Sequence, residues 1–383
     1  MNKIFNPLEN IDKFILICVG LLGILSLTML ESTVYEDGFV LARPVLIQAI
    51  AYLLGFGVLL FIQNLDYRFF IGLEKILYAL SVLFLLTVYI PGLGQENYGS
   101  RAWINLGITT LQPSEFVKIP FVLIMAGYLS EHRDELTRFT GVFKAFLVAA
   151  PIIAVVLKED LGSALVYIVM WIFMVFFAGI DYKLFFQCAL ACLAAVPIVY
   201  KFLDDYQKER IEAFLHPENL SLSGNYQVWQ SKVAMGSGGF FGKGLFQGTQ
   251  KSLDFIPVQQ SDFIFSVVGE ELGFVGCTAV ILLLALLLIK TLLIAFKARD
   301  TLGTCICFGF FGLIFIQSVV NIGMCLALFP VMGVTLPFFS AGGSSAACLY
   351  FGYGLVQAVS MHSMEVEGLD LARRGRRAPA LKL

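Results

Sequence analysis

Charged residues are scarce in this sequence of 383 residues. Asp, Glu, Lys and Arg make up 14% of the chain, whereas hydrophobic residues make up 58% and the mean hydropathy is +0.83. A soluble globular protein has roughly 45–50% apolar and about 25% charged residues. The shortage of charge therefore excludes a soluble enzyme, a nucleic-acid-binding protein and a disordered chain.

Several sequence motifs that carry chemistry are also missing. The three histidines, His132, His216 and His362, are scattered, so the sequence shows no metal-binding cluster. It has no Walker A phosphate-binding motif and no Gly-x-Ser-x-Gly nucleophile motif. The eight cysteines lie in or beside apolar runs, which favours a role in packing over the alternative of a disulfide framework.

Long apolar runs are what the sequence does contain. Ten runs are long enough, or nearly long enough, to span a membrane as helices. They cover residues 14–30, 44–62, 76–90, 115–129, 141–157, 161–179, 183–203, 263–296, 303–329 and 343–361. A membrane β-barrel would show short alternating segments instead. The sequence therefore predicts an all-α polytopic membrane protein with about ten transmembrane helices.

The distribution of Lys and Arg predicts the orientation of these helices. With the N-terminus in the cytoplasm, the short outside connections hold only Arg43, Arg101 and Lys158. The inside set has 14 members: Lys3, Lys13, Arg68, Lys75, Arg133, Arg138, Lys183, Lys297, Arg299, Arg373, Arg374, Arg376, Arg377 and Lys382. Because cytoplasmic loops carry the excess of positive charge, both termini are predicted to be cytoplasmic.

One connection is much longer than the others. Residues 204–261 form a large loop that the orientation places outside the cell, and its aromatic residues and glycines predict ordered, short amphipathic helices on the membrane surface. The tail, residues 362–383, ends in a basic cluster that we interpret as a cytoplasmic anchor touching anionic lipid. The whole chain, residues 1–383, is predicted to be a single membrane domain.

Polar residues within an apolar chain are candidates for function, because ionisable groups in a membrane helix are costly without partners or water. Pro113 is predicted to begin a helix, with Glu115 in its first turn and Lys118 on the same face. This pair is either a neutralised ion pair at a helix start or part of a polar cavity.

Three more polar stretches follow. Asp160 lies between two apolar runs, either in a simple turn or at a site. Asp262 lies where the large loop re-enters the membrane, either as a helix N-cap or as a functional carboxylate. Glu270 and Glu271 lie deeper and need polar partners in the core. The residues from Asn321 onward are rich in proline and glycine, which indicates broken or closely packed helices.

The predicted topology brings four of these side chains to one face. Arg101, Glu115, Asp160 and Asp262 come from separate stretches, yet each lies at or near the outside boundary. The sequence therefore predicts one cleft that is embedded in the membrane and open to the outside.

Ordered motifs along nearly the whole chain resemble those of one family. They are Trp103 to Lys118 with Gln112-Pro-Ser-Glu115; Asp160-Leu-Gly162; Tyr206-Gln207 with Arg210-Ile211; Gly236-Ser-Gly-Gly239 with Gly242-Lys-Gly-Leu245; Asp262-Phe-Ile-Phe265 with Gly269-Glu-Glu-Leu-Gly273; and Pro337 with Gly342-Gly-Ser-Ser345. The chain resembles the SEDS (shape, elongation, division and sporulation) family of RodA/FtsW-like glycosyltransferases, and its first third is more similar to the RodA branch.

The resemblance implies ten transmembrane helices and a peptidoglycan glycosyltransferase that polymerises lipid II into glycan strands at the outer face of the cytoplasmic membrane. It implies a role in elongation and rod shape, with a division or sporulation polymerase as the alternative. The family's essential aspartate corresponds to Asp262, which we predict to be the general base. Glu115, Lys118 and Asp160 match further motif positions and are predicted to line the substrate cavity.

The donor's pyrophosphate also needs positive charge. Arg101, Lys118, Lys232 and Lys243 are candidates to supply it, and a bound divalent cation is another. We predict no metal site built from protein ligands alone. The family resemblance implies a class B penicillin-binding protein, a transpeptidase, as partner.

The sequence departs from the family pattern before Asp262. Members usually read Pro-Glu-x-His-Thr-Asp, whereas this chain reads Pro257-Val-Gln-Gln-Ser-Asp262 and lacks that carboxylate and imidazole. Before Asp160, the usual Gln-Pro is replaced by Lys158-Glu159. A lipid II flippase and a scaffold that only binds the transpeptidase are the other functional hypotheses. A flippase would carry polar groups toward both faces, whereas a scaffold would not explain the carboxylates.

Overall fold

The computed structural model describes residues 11–34, 42–97, 100–105, 110–222, 224–253, 255 and 258–376. Within these residues the chain forms thirteen α-helices and one small sheet. The helices are α1 (Lys13–Val34), α2 (Arg43–Ile62), α3 (Glu74–Leu86), α4 (Pro113–Glu131), α5 (Phe139–Glu159), α6 (Leu161–Ala178), α7 (Tyr182–Lys201), α8 (Asp205–Leu215), α9 (Asn225–Gly238), α10 (Thr249–Ser252), α11 (Ile264–Lys297), α12 (Thr301–Cys325) and α13 (Gly343–Arg376).

Each of the ten predicted apolar runs coincides with one helix of at least 13 residues: α1 to α7 and α11 to α13. In the part of the chain that the structure describes, six of them (α1, α2, α5, α6, α11 and α12) are long and apolar enough to cross a membrane. Their lipid-compatible surfaces make the chain an integral membrane protein, and the helical fold class is confirmed. The count of ten spans stays a prediction.

The sequence predicted helices alone, but the structure also contains a small antiparallel sheet before α4. Its strands are β1 (Gly94–Asn97), β2 (Ser100–Asn105) and β3 (Thr110–Leu111), with β2 in the centre. Gln95 pairs with Trp103, and Ile104 pairs with Leu111. The sheet leads directly to Pro113, which begins α4 as predicted.

Helix α12 lies at the centre of the bundle and packs against α4, α6, α11 and α13. Its close approach to neighbours depends on small residues. A Cβ atom at Gly309 would lie 2.9 Å from the Val122 side chain, and one at Gly312 would lie 3.1 Å from the Met170 backbone. Small residues at membrane helix interfaces allow this close packing.

Three short helices, α8, α9 and α10, occupy the segment predicted to be the large loop. Helix α9 packs against α11, whose helical path is interrupted at Gly273 with φ +64° and ψ −159°. Residues 239–244, the glycine-rich stretch after α9, form backbone hydrogen bonds with residues of α11 on both sides of Gly273. The backbone N–H groups of Lys243 and Gly244 donate to the Glu270 and Glu271 carbonyls, and those of Phe274 and Val275 donate to the Gly239 and Phe240 carbonyls. The backbone groups released by the break are therefore satisfied within the protein.

Residues 326–342, between α12 and α13, form no helix. The proline- and glycine-rich composition predicted such a break. This segment returns toward the start of α6, because a Cβ atom at Gly162 would lie only 2.2 Å from the Met332 carbonyl oxygen. It also returns toward Asp262, as described below.

Two glycines of α9 provide a test of the α9–α11 contact. A Cβ atom at Gly238 would lie 2.0 Å from the Gly269 carbonyl oxygen, whereas Gly236 has no atom within 4 Å of that position. We expect Gly238→Ala to lower the free energy of unfolding by about 1–3 kcal/mol or more, because backbone must move. Thermal unfolding in detergent measures this effect.

Gly236→Ala is the matched control in the same helix. It should leave stability unchanged or raise it by up to about 1 kcal/mol, because alanine favours the helix. Equal effects of the two substitutions would contradict the packing described for α9.

Candidate active site

Asp262 lies in a turn just before α11. The N-cap of α11 is Phe263, so the alternative of Asp262 as that helix cap is wrong. Its carboxylate accepts a hydrogen bond of 2.9 Å from the Ser261 hydroxyl, and a Cβ atom at Gly333 would lie 3.7 Å from its other oxygen. The Asp262 carbonyl accepts a hydrogen bond of 3.0 Å from the Asn321 side chain. The backbone is thus anchored while the carboxylate faces the irregular segment after α12.

Asp160 lies between α5 and α6 and caps α6, because its carboxylate accepts a hydrogen bond of 2.7 Å from the Ser163 N–H. Its other oxygen lies 4.0 Å from a guanidinium nitrogen of Arg210 on α8. Asp160 therefore has a structural role at the helix start in addition to its charge.

Asp160 and Arg210 lie close enough to Asp262 for their charges to act on it, and we call these three residues the aspartate–arginine cluster. Burial raises the pKa of Asp262 to about 6; the Ser261 hydrogen bond opposes this shift, the charge of Asp160 adds to it, and Arg210 opposes it. Burial also raises the pKa of Asp160, against hydrogen bonds from Ser163 and the charge of Arg210. A carboxyl group with the pKa of Asp262 is largely ionised at neutral pH and still basic enough to accept a proton, which suits a general base.

Glu115 and Lys118 form the ion pair that their spacing predicted. The Lys118 ammonium lies 2.5 Å from a Glu115 oxygen, and the lysine side chain is 1% exposed. The neighbouring helix α6 contacts the same helix start, because the Tyr167 hydroxyl donates to the Ser114 carbonyl at 2.6 Å. The structure therefore places Glu115 and Lys118 in the packed interior. That they line the substrate cavity stays a prediction.

Lys243 is engaged by a carboxylate. Its ammonium lies 2.7 Å from Glu270, whose side chain also accepts hydrogen bonds from the backbone of Thr249 and Gln250. Glu271 accepts hydrogen bonds from the Ser32 hydroxyl and the Gly248 N–H. The expectation that both glutamates have polar partners in the core is met.

Two other candidate cations remain. Lys232 is exposed, and its ammonium lies 5.9 Å from the centre of the Trp229 ring. Arg101 belongs to β2, and its side chain lies outside the described residues. Among the described residues, no group of three or more His, Cys, Asp or Glu side chains is arranged to hold a metal ion. A divalent cation would therefore need oxygen ligands from the substrate in addition to Asp160 and Asp262.

Arg210 is the member of the cluster that was not among the predicted site residues. Its motif, Tyr206-Gln207 with Arg210-Ile211, is visible in the sequence, but the pairing with Asp160 joins residues 50 positions apart. A prediction that helix α8 folds back against the bundle, beside Asp160, would have identified Arg210 as a site residue.

The fold and this cluster define an integral membrane protein with a half-buried acidic site at one end of a helical bundle. Residues 10–365 match the family of cell cycle proteins described as FTSW_RODA_SPOVE. The chain belongs to this family, as the sequence motifs predicted.

Two curated relatives cover most of the chain. Stage V sporulation protein E of Bacillus subtilis (strain 168) is 36% identical over 92% of this chain and 96% of its own length. Peptidoglycan glycosyltransferase MrdB of Escherichia coli (strain K12) is 34% identical over 81% of this chain and 83% of its own length. The two identities are too similar to assign a branch, so the predicted closeness to RodA is not resolved.

A solved structure has the same fold. It is described as the structural coordination of polymerization and crosslinking by a peptidoglycan synthase complex, and one of its chains is similar to this one with a TM-score of 0.78 and 32% identity. The match covers 92% of this chain and 98% of that chain.

The Glu115–Lys118 pair yields a prediction of non-additive stability. Glu115→Gln or Lys118→Met alone leaves a buried charge without its partner and should destabilise the protein by about 3–5 kcal/mol. The double substitution should cost clearly less than the sum. A double-mutant cycle measures this coupling by thermal unfolding in detergent of the original protein, the two single variants and the double variant.

The exposed pair Glu135–Lys144, separated by 3.0 Å, is the control. Its single substitutions should have small effects that add. Additive losses for Glu115 and Lys118 would contradict their assignment as a coupled buried pair.

Proposed function

We propose that this chain is a peptidoglycan glycosyltransferase that polymerises lipid II at the outer face of the cytoplasmic membrane. The observation that carries the proposal is the aspartate–arginine cluster, which gathers a carboxylate with a raised pKa, a second carboxylate and a cation at one end of the bundle. Membership of the family and the name of the MrdB relative support it.

In the proposed reaction, Asp262 accepts the proton of the acceptor sugar's hydroxyl group. The hydroxyl oxygen forms a bond to C1 of the donor sugar, and the bond from C1 to the phosphate oxygen breaks. The lipid pyrophosphate leaves with that electron pair. Because pyrophosphate is already a good leaving group, the acceptor needs a base more than the donor needs an acid.

The proposal includes the orientation and the partner. Both termini are cytoplasmic, which puts Asp160 and Asp262 at the outer end of the bundle, where lipid II is presented. The chain acts together with a class B penicillin-binding protein, which would crosslink the strands; the similarity to a chain of a peptidoglycan synthase complex supports this assignment. Asp160 and Asp262 would hold a divalent cation if the reaction uses one, and that ion would neutralise negative charge on the pyrophosphate.

The cellular role is proposed to be elongation and rod shape, with division or sporulation as the alternative. The relatives described above do not favour one role, because a sporulation protein and MrdB are almost equally similar. Complementation of strains that lack each polymerase distinguishes these roles.

Asp262→Asn tests the assigned base. The substitution keeps the shape of the side chain and removes the proton acceptor, so polymerisation should fall by about 10²-fold or more. Purified protein, with and without its transpeptidase, is incubated with labelled lipid II, and glycan ladders are measured on gels.

Asp205→Asn is the control, because Asp205 is a fully exposed carboxylate on α8. It should give ladders like those of the original protein. Undiminished ladders from Asp262→Asn would remove Asp262 from the role. If the original protein makes no ladder but moves lipid II across a vesicle bilayer, the flippase hypothesis replaces the proposed function.

The pKa of Asp262 predicts the pH dependence. The base must be ionised, so kcat/KM should rise with pH, about tenfold per unit below pH 6, and level off above it. The slope is measured with saturating acceptor between pH 4.5 and 8. A profile that is flat across pH 6 would contradict a base with this pKa.

A further inference from the structure

Residues 336–342, which we call the 336–342 segment, contain a residue in an unfavourable backbone conformation. Phe338 adopts φ +57°, in the left-handed region that is sterically poor for a bulky side chain. Its ring is buried, 5.3 Å from the ring of Tyr350 and 5.5 Å from that of Tyr353. Such a conformation persists only where the surrounding contacts hold it. The backbone of this segment therefore needs partners as well as its packed ring.

Two hydroxyl groups from α1 and α2 are partners of this backbone. The Tyr52 hydroxyl donates to the Phe338 carbonyl at 3.0 Å, and the Ser26 hydroxyl donates to the Phe339 carbonyl at 2.5 Å. The two hydroxyl oxygens lie 2.8 Å apart, and both side chains are buried. A buried carbonyl without a donor is costly in an apolar interior, so these hydroxyls favour the observed path of the chain.

Gln48 contacts the end of the same segment. Its carboxamide donates to the Ser340 carbonyl at 3.4 Å and accepts a hydrogen bond of 3.0 Å from the Gly342 N–H. Gln48 and Tyr52 are four residues apart on α2, so they lie on one face of the helix. One face of α2 is therefore bonded to the 336–342 segment at three backbone positions.

The 336–342 segment in turn holds the turn that carries Asp262. The Ser340 hydroxyl donates to the Ser261 carbonyl, and the Ala341 N–H donates to the Gln260 carbonyl at 2.9 Å. The Ser261 hydroxyl donates to the Asp262 carboxylate at 2.9 Å. A continuous series of contacts therefore leads from α2 through Ser340 and Ser261 to the carboxylate.

We propose that Tyr52 and Gln48 are positioning residues: they fix the 336–342 segment in the conformation from which Ser340 holds the turn of Asp262. The inference rests on the proposed function, in which Asp262 is the base. A displacement of about 1 Å at a reacting group can lower a rate about 100-fold, so bonds that act only through Ser340 affect the reaction. Because they act on the base, their loss should lower kcat more than it changes KM for lipid II.

Tyr52→Phe removes only the hydroxyl group. In full-length protein with its transpeptidase, kcat for glycan polymerisation should fall about tenfold, while KM for lipid II stays within about twofold. Tyr350→Phe is the matched control. Its ring lies 5.9 Å from that of Tyr52, but its hydroxyl forms no hydrogen bond in the part of the chain that the structure describes. It should polymerise lipid II like the original protein.

A double variant tests the route through Ser340. Ser340→Ala alone should lower kcat about tenfold or more, because it releases the Ser261 carbonyl. If Tyr52 acts through Ser340, adding Tyr52→Phe should change kcat by no more than about twofold further. A role of Tyr52 in stability alone would lower the temperature of unfolding without this coupling in kcat.

Hydrogen exchange measured by mass spectrometry tests the same contacts without substrate. In the original protein, the Leu336 N–H donates to the Ser340 hydroxyl and the Ala341 N–H donates to Gln260. In purified Tyr52→Phe, exchange should become about fivefold faster in residues 334–342 and 258–262, because one hydrogen bond that holds them is lost. Residues of α3 are the internal control and should exchange at an unchanged rate.

Three results would overturn the inference: unchanged exchange in both stretches, a normal kcat for Tyr52→Phe, or losses of kcat that multiply in the double variant. A higher KM at constant kcat would also reject it, since this is the signature of weaker substrate binding. Failure of the proposed function is recognised separately. If the original protein makes no glycan ladders while exchange changes as expected, the proposed polymerase activity is rejected and the link between α2 and the Asp262 turn is supported.

Discussion

The carboxamide of Asn321 connects two stretches of chain that lie outside the helices. From the buried interior of α12 it donates to the Asp262 carbonyl at 3.0 Å and to the Val334 carbonyl at 2.7 Å. An unsatisfied carbonyl in the apolar interior costs several kcal/mol, so irregular backbone persists there only when protein groups bond to it. Ser340 extends the connection, since its hydroxyl donates to the Ser261 carbonyl and accepts from the Leu336 N–H. The position of Asp262 depends on these bonds.

The parts of the fold that follow from local chemistry could be predicted from the sequence. The hydropathy of each apolar run predicts a helix, the fixed φ of Pro113 predicts the start of α4, and the spacing of Glu115 and Lys118 predicts their pairing, because residues three apart share a helix face. The motifs also predicted the family. In each case the evidence lies within a few residues of the feature, and no knowledge of tertiary packing is required.

The aspartate–arginine cluster and the contacts of Lys243 could not be predicted in the same way. Asp160 meets Arg210 across 50 positions, and Lys243 meets Glu270 across 27, so both contacts depend on how α8 and α9 fold back onto the bundle. From charge alone, Lys243 and Arg210 are equally good candidates to bind pyrophosphate. The structure separates them because the break of α11 at Gly273 brings the glycine-rich stretch, with Lys243, against Glu270. The small sheet before α4 was missed because its strands are short and lie between apolar runs.

The missing glutamate and histidine before Asp262 need not remove its capacity to act as a base. Val258 stands where the family has glutamate, and it adopts φ +58°, a conformation that is costly for a β-branched residue and is often found at functional sites. The turn it forms lets the Asp262 N–H donate to the Val258 carbonyl at 3.2 Å. The pKa of Asp262 is then set by burial, by Ser261 and by the charges of Asp160 and Arg210, and neither Val258 nor Gln260 contributes to it. Burial and the neighbouring charges therefore account for the raised pKa of Asp262 without the glutamate and the histidine of the family pattern.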